Sequence, residues 1–276
     1  SIHQATDLVE PTLAGNWRGV FGHKNGAGAA MVLLIFIGIF VARVSPRALG
    51  IAIVALAAFF LIFTQAKSPL GLLLPVLLMA YLVVHLRSPA LLTMLVVGTP
   101  LAINLLTIGT VSFPAVEEFL AGFMSDTSYT GRDEIWEFTL SHIAQRPITG
   151  FGFQAFWGTP ELVVDGNIRE SWGYRASDAH NGYLNIAVMT GVVGLVFALV
   201  WIIVQPLADV IRNDASRTDP LTLLFVQIWL FGIVLSAFES TFFSGGSCLW
   251  AMMVVSIVGL RYLATMPLRA SGGSHA

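Results

Sequence analysis

Ser177-Asp178-Ala179-His180-Asn181-Gly182-Tyr183 runs directly into Leu184–Val204, LNIAVMTGVVGLVFALVWIIV, a stretch of 21 residues without a formal charge. A helix of that length can cross the hydrocarbon of a bilayer, which needs about 20 predominantly apolar residues. The polar residues ahead of it put a titratable imidazole, His180, at the mouth of a span. Ionisable groups are expensive in membrane proteins and tend to mark sites. An imidazole can also take up and release protons near neutral pH.

The same reading extends along the chain. Of its 276 residues, 56% are hydrophobic and only 11% charged, where an ordinary soluble domain carries about 25% charged residues. The apolar excess falls in blocks: Gly26–Ala42, Ala48–Ala66, Pro69–Leu86, Pro89–Ile108, Tyr183–Val204, Leu221–Phe238 and Gly246–Ala264. In lipid a segment must satisfy its own backbone hydrogen bonds, so such runs are helices. The expected fold is an all-α integral membrane protein with about seven transmembrane helices and one long extracytoplasmic loop containing an amphipathic helix. Residues 1–25 form an extracytoplasmic lead-in and 26–108 four transmembrane helices. Residues 109–180 form the large extracytoplasmic loop, 181–264 three more transmembrane helices, and 265–276 a cytoplasmic tail.

Charge sets the orientation. With the N-terminal segment outside, the inner loops hold seven arginines (Arg43, Arg47, Arg87, Arg212, Arg217, Arg261 and Arg269) against three acids, Asp209, Asp214 and Asp219. Short loops enriched in arginine lie inside. A membrane chain that starts with an extracytoplasmic polar segment is expected to lack upstream spans. Cys248 is the only cysteine, so no intrachain disulfide can form. Pro75 and Pro100 fall inside spans, where a kink or local break is expected.

In the long loop, Ile135, Trp136, Leu140 and Ile143 recur at helical spacing and predict a helix from Gly131 to Arg146, ended by Pro147 and followed by a Gly150-Phe151-Gly152 turn. Its apolar face suits the membrane interface. Gly191 and Gly194, with Gly182 upstream, read as small residues that let another helix pack closely.

Candidate site residues cluster on the outer side. His180, with Ser177 or Asp178 as cap, sits where the helix dipole disfavours the protonated ring, which would keep it neutral and able to accept a proton. The bland alternative is an interfacial histidine making one hydrogen bond. Arg18 and Arg132 could bind phosphate oxygens in bidentate fashion, with Lys24 and Lys67 at the outer ends of spans. All four could equally be interfacial anchors. Glu239, alone between the sixth and seventh spans, could orient a substrate hydroxyl, pair with a site arginine, or simply be solvated. Trp136 and Arg175 are further candidate substrate contacts. Trp136, Trp157, Trp172 and Tyr174 could stack on sugars or belong to loop core. The six histidines are scattered, so no metal cluster is expected, and no cofactor is implied. There is no Walker A motif, and Gly150-x-Gly152-x-x-Ala155 only partly echoes a dinucleotide loop.

Three segments together resemble the O-antigen ligase/Wzy-type polymerase superfamily of bacterial envelope glycosyltransferases. They are Trp17-Arg18-Gly19-Val20-Phe21-Gly22-His23-Lys24-Asn25; Gly131-Arg132-x-x-Ile135-Trp136 followed by Pro147-x-x-Gly150-x-Gly152; and His180-Asn181 followed after nine residues by Gly191-x-x-Gly194. The first looks closer to exopolysaccharide polymerases than to lipopolysaccharide ligases. The resemblance implies a metal-independent, inverting transfer on the outer face of the bacterial inner membrane. Its donor would be an undecaprenyl-diphosphate-linked oligosaccharide and its acceptor a glycan or lipid-linked sugar. Arg18 and Arg132 would hold the diphosphate, His180 would activate the acceptor hydroxyl, and Asn181 would orient ring or substrate. Membrane lipids and other polysaccharide assembly proteins are the implied partners, and nucleic acid is not. The rival readings are a lipid-linked sugar transporter or flippase, whose polar path would have to use Gln65, Asn104, Asn185 and Gln227, and a non-catalytic assembly partner.

Overall fold

A computed structural model describes residues 1–4, 13–123, 129, 131–159, 176–213 and 217–266. The described chain is α-helical apart from one isolated bridge, Ile2 to Trp17. The helices are α1 (Lys24–Val44), α2 (Arg47–Thr64), α3 (Lys67–His85), α4 (Pro89–Thr107), α5 (Gly109–Ser112), α6 (Pro114–Ala121), α7 (Arg132–Gln145), α8 (Gly182–Leu199), α9 (Gln205–Arg212), α10 (Pro220–Leu235) and α11 (Cys248–Thr265). A π-helical turn, Val200–Val204, joins α8 to α9 in the apolar run Gly182–Arg212. Among the described residues, six helices are long and apolar enough to cross a membrane: α1 to α4, the run Gly182–Arg212 and α11. The expected sixth span, α10, is apolar but stops after 16 residues. The chain does not continue helically to Phe238. It folds back instead, with Ala237 N donating to Val234 O and both Phe238 N and Glu239 N donating to Leu235 O. The protein is thus a helical membrane protein. The helices run through Pro75 and Pro100 without interruption.

Two compact units divide the chain: Ser1–Leu92, Pro206–Gly232 and Gly245–Ala276 in the first, and Thr93–Gln205 with Ile233–Ser244 in the second. In the first unit, α1 and α2 approach so closely that a Cβ on Gly50 would lie 2.3 Å from Ala42 N. This is the small-residue contact that helices use in lipid. The lead-in is pinned by Trp17, whose N–H donates to Phe63 O and whose ring stacks on Phe63. Asp209, 2% exposed, takes a 2.9 Å contact from Arg261, so this buried acid is paired rather than left bare.

In the second unit, α7 forms where periodicity places it. Its apolar stripe, however, packs on protein rather than on the membrane interface. Trp136 is fully buried with Ala179 and Leu184, while Phe138 packs with Phe156, Val188 and Met189. The larger surprise is in α8. At Gly191 the backbone leaves helical geometry (φ 65°, ψ −172°). The segment after Pro147 docks its backbone into the break: Phe151 N donates to Val188 O, Gly152 N to Met189 O, and Val192 N donates to Pro147 O. A freed carbonyl in an apolar setting is costly unless another donor takes it, and here a loop supplies the donors. Gly191 and Gly150 are therefore not seats for a neighbouring helix. A Cβ on Gly191 would lie 2.1 Å from Ile148 O, and one on Gly150 2.5 Å from the Met189 carbonyl carbon. Gly194 faces its own helix at Thr190, and Gly182 faces Ser236 and Phe242.

That geometry makes a sharp prediction. Gly191→Ala places a side chain in a backbone region open essentially to glycine, a strain of about 1–3 kcal/mol before any clash is counted. It should lower the melting temperature in detergent measurably. Gly71→Ala, in a helix with open space around it, should be neutral or stabilising by up to about 1 kcal/mol. Equal melting temperatures for wild type and Gly191→Ala would show that the break is not needed.

Candidate active site

The site is assembled by the start of α8, the turn after α10 and the start of α7, all in the second unit. Asn181 organises it. Its side-chain Oδ1 accepts from Tyr183 N at 3.0 Å and Leu184 N at 3.1 Å, which caps α8. Its Nδ2 donates to Ala237 O at 3.0 Å and Asn104 Oδ1 at 2.8 Å. The residue is completely buried. Gly182 N donates to Ser236 O at 2.7 Å and Tyr183 OH to Ile233 O at 2.7 Å. These bonds lay the 236–242 turn across the helix start, and Ser236 and Thr241 hydroxyls bond to each other within it.

Glu239 is thereby brought to His180. Its Oε2 lies 3.8 Å from His180 Nδ1, and Asp178 Oδ1 lies 3.9 Å from the same nitrogen. Its Oε1 forms a 2.9 Å ion pair with Arg132 Nη2, while Arg132 Nη1 donates to Phe238 O. Arg132 begins α7, where the helix dipole disfavours a cation. The carboxylate and carbonyl of the turn compensate. His180 Nδ1 is buried although the side chain as a whole is 36% exposed, so the outward edge of the ring is the one carrying Nε2. The residue adopts a left-handed backbone (φ 46°), with its N–H held by Asp178 Oδ1 at 2.7 Å. Such backbone strain in a non-glycine residue persists only where surrounding contacts fix it, and it clusters at sites.

Carboxylates also bear on how the ring titrates. Glu239 raises the His180 pKa above its usual 6.5. Burial opposes the shift, Asp178 adds to it, and Arg132 opposes it. The two carboxylates thus favour the protonated ring, against the direction in which the helix dipole acts. Burial works to raise the Glu239 carboxyl, yet His180 and Arg132 together hold it below the usual carboxylate value.

Other expected site residues lie elsewhere. Trp136 is wholly buried and donates to Ala179 O at 3.1 Å, supporting the residue before His180. Trp157 donates to Asn185 Oδ1 at 2.6 Å. Arg18, Lys24 and Lys67 belong to the first unit. There Arg18 donates to Gly22 O at 3.1 Å, Lys24 to Gln65 O at 3.3 Å, and Lys67 is exposed at the start of α3. Arg175, Trp172 and Tyr174 lie outside the described residues. Asn104 was read in the sequence as a span polar group; its role as a partner of Asn181 depends on a contact 77 residues apart. Among the described residues, no group of three His, Cys, Asp or Glu side chains gathers to hold a metal. Beside the Gly191 break, Phe153, Ile186, Met189, Phe197, Trp201 and Phe243 line an apolar cavity of about 420 Å³.

A family model described as O-antigen ligase matches residues 24–199. This chain belongs to the O-antigen ligase family. The match takes in Arg132, His180, Asn181 and Gly191, while Glu239 lies beyond it. The ligase-family chain is also 26% identical over 120 residues to "Exopolysaccharide production protein ExoQ" of Rhizobium meliloti (strain 1021). That alignment covers 43% of this chain and 26% of the relative, so the chain spans well under two thirds of the relative's length. No solved structure matches it.

Removing Asn181 should loosen the site. Asn181→Ala leaves two amide N–H groups and a carbonyl without this partner, at about 1–3 kcal/mol per buried unsatisfied group. A lowered detergent melting temperature checks this, and an unchanged one would show that the turn after α10 is held by other contacts.

Proposed function

We propose that this chain is a membrane glycosyltransferase of bacterial surface polysaccharide assembly, transferring or polymerising an oligosaccharide from an undecaprenyl-diphosphate donor on the outer face of the inner membrane. The observation that carries the reading is the meeting of Arg132 and His180 around one carboxylate, on residues within the family match. In the proposed step the acceptor hydroxyl oxygen attacks the anomeric carbon. The carbon–oxygen bond to the diphosphate breaks, undecaprenyl diphosphate departs, and the hydroxyl proton passes to His180 Nε2. A single displacement inverts the anomeric centre. Arg132 supplies fixed positive charge where negative charge develops, which lets the transfer run without a metal. Asn181 acts by positioning the helix start and the turn. The apolar cavity suits the first isoprene units of a lipid-linked donor. The acceptor is a glycan or lipid-linked sugar hydroxyl.

Transfer from a purified lipid-linked donor tests this. His180→Ala should lose roughly 10²–10⁴-fold in rate, the usual worth of a positioned base, and full activity at normal protein levels would remove His180 from that role. Arg132→Ala should lower kcat/KM for the donor by about 10–100-fold, as expected for a lost charge-assisted contact of about 1.5–3 kcal/mol. An unchanged donor dependence would take Arg132 out of the site. The pH profile has a definite sign. A base must be unprotonated, so kcat/KM should fall as pH drops through the His180 pKa, with the acid limb above 6.5.

A further inference from the structure

We propose that Glu239 is a positioning residue that fixes the tautomer of His180 and the aim of Arg132 with the two oxygens of one carboxylate. This rests on the reading of His180 as the base. The geometry argues for it in three steps. First, the buried edge of the ring carries Nδ1, and among the described residues two carboxylates face it: Glu239 at 3.8 Å and Asp178 at 3.9 Å. Asp178 Oδ1 accepts the His180 backbone N–H at 2.7 Å, and the two Glu239 oxygens divide, Oε1 to Arg132 and Oε2 toward the ring. Second, a distance of 3.8 Å is too long for a hydrogen bond but closes with a small rotation, and catalytic hydrogen bonds are often long before substrate arrives. A proton on Nδ1 aimed at Glu239 leaves the Nε2 lone pair on the outward edge, where a hydroxyl can reach it. Third, the carboxylate is firmly mounted. Glu239 N donates to Leu235 O at 3.0 Å, Thr241 N donates to Glu239 O at 2.9 Å, and Asn181 holds Ala237 O two residues before it.

Among the described residues, the charged groups facing the ring are Asp178 from the segment before α8, Glu239 from the turn after α10 and Arg132 from α7. When Nε2 accepts the hydroxyl proton, the imidazolium that forms lies against Glu239. The same carboxylate holds Arg132 in place until a diphosphate competes for the guanidinium. One residue outside the family match would then set both halves of the chemistry. A salt bridge serving structure alone would hold Arg132 without altering how His180 titrates.

The full-length protein in proteoliposomes, supplied with lipid-linked donor, separates these cases. Glu239→Gln should reduce kcat by up to about 10²–10⁴-fold, the whole worth of a positioned base, and shift the acid limb of the pH profile to lower pH, because the carboxylate that raised His180 is gone. Glu239→Asp keeps the charge and should restore part of kcat with the limb back near its wild-type position. An acid limb unmoved in Glu239→Gln, with only the donor KM raised, overturns the proposal and leaves Glu239 as a partner of Arg132. A second measurement needs no variant at this position. Histidine-selective 13C NMR of the wild-type protein, with the His180 signal assigned by its loss in His180→Ala, should report the neutral ring protonated on Nδ1. A ring protonated on Nε2 overturns the proposal. Full transfer activity in His180→Ala would instead defeat the functional reading beneath it.

Discussion

One buried amide holds the candidate site together. The Asn181 side chain has two donors and an acceptor oxygen, and all find partners inside the protein: two backbone N–H groups of α8, one carbonyl of the turn after α10, and Asn104. In a low-dielectric surrounding each broken bond leaves a polar group without water to replace it. The start of α8 and the 236–242 turn are thus tied by groups that have nowhere else to go. His180 precedes Asn181 by one residue and Glu239 follows Ala237 by two, so their meeting is a by-product of satisfying a backbone.

The electrostatics follow from the same tie. Arg132 and His180 both lie at the N-terminal ends of helices, where the dipole opposes positive charge by up to about 1 kcal/mol. A carboxylate at about 4 Å outweighs that even with an effective dielectric of ~20. A single residue from a third element therefore reverses what two helix ends would impose alone. The sequence contains Glu239 as the lone acid of its turn, but nothing local to it says which cations it will meet.

This marks the boundary of what could be read from the residues. Spans were legible because length and apolarity are properties of a contiguous run, and α7 because its stripe repeats every turn. The early end of α10 was not, since Ser236 to Phe238 are as compatible with a span as with a turn until Asn181 and Gly182 claim their carbonyls. The break in α8 was hidden for a related reason. A glycine inside an apolar helix signals close approach without saying whether a helix or a loop approaches. His180 and Arg132 were legible as chemistry-bearing types in a recurring spacing; their common partner was not, because it comes from 107 residues beyond Arg132.

At the α8 break itself the loop is anchored through main chain, with glycines at its closest points, while Phe156 and Trp157 add side-chain contacts further along. Main-chain bonds do not depend on side-chain identity. A position such as Ala155, which follows the anchor and is exposed, can therefore change in size and polarity while the anchor stays put. A scaffold of this kind separates the residues that keep the loop in place from those that face outward. It lets the outward face of the loop be refitted by substitution at a few positions, without rebuilding the helix beneath.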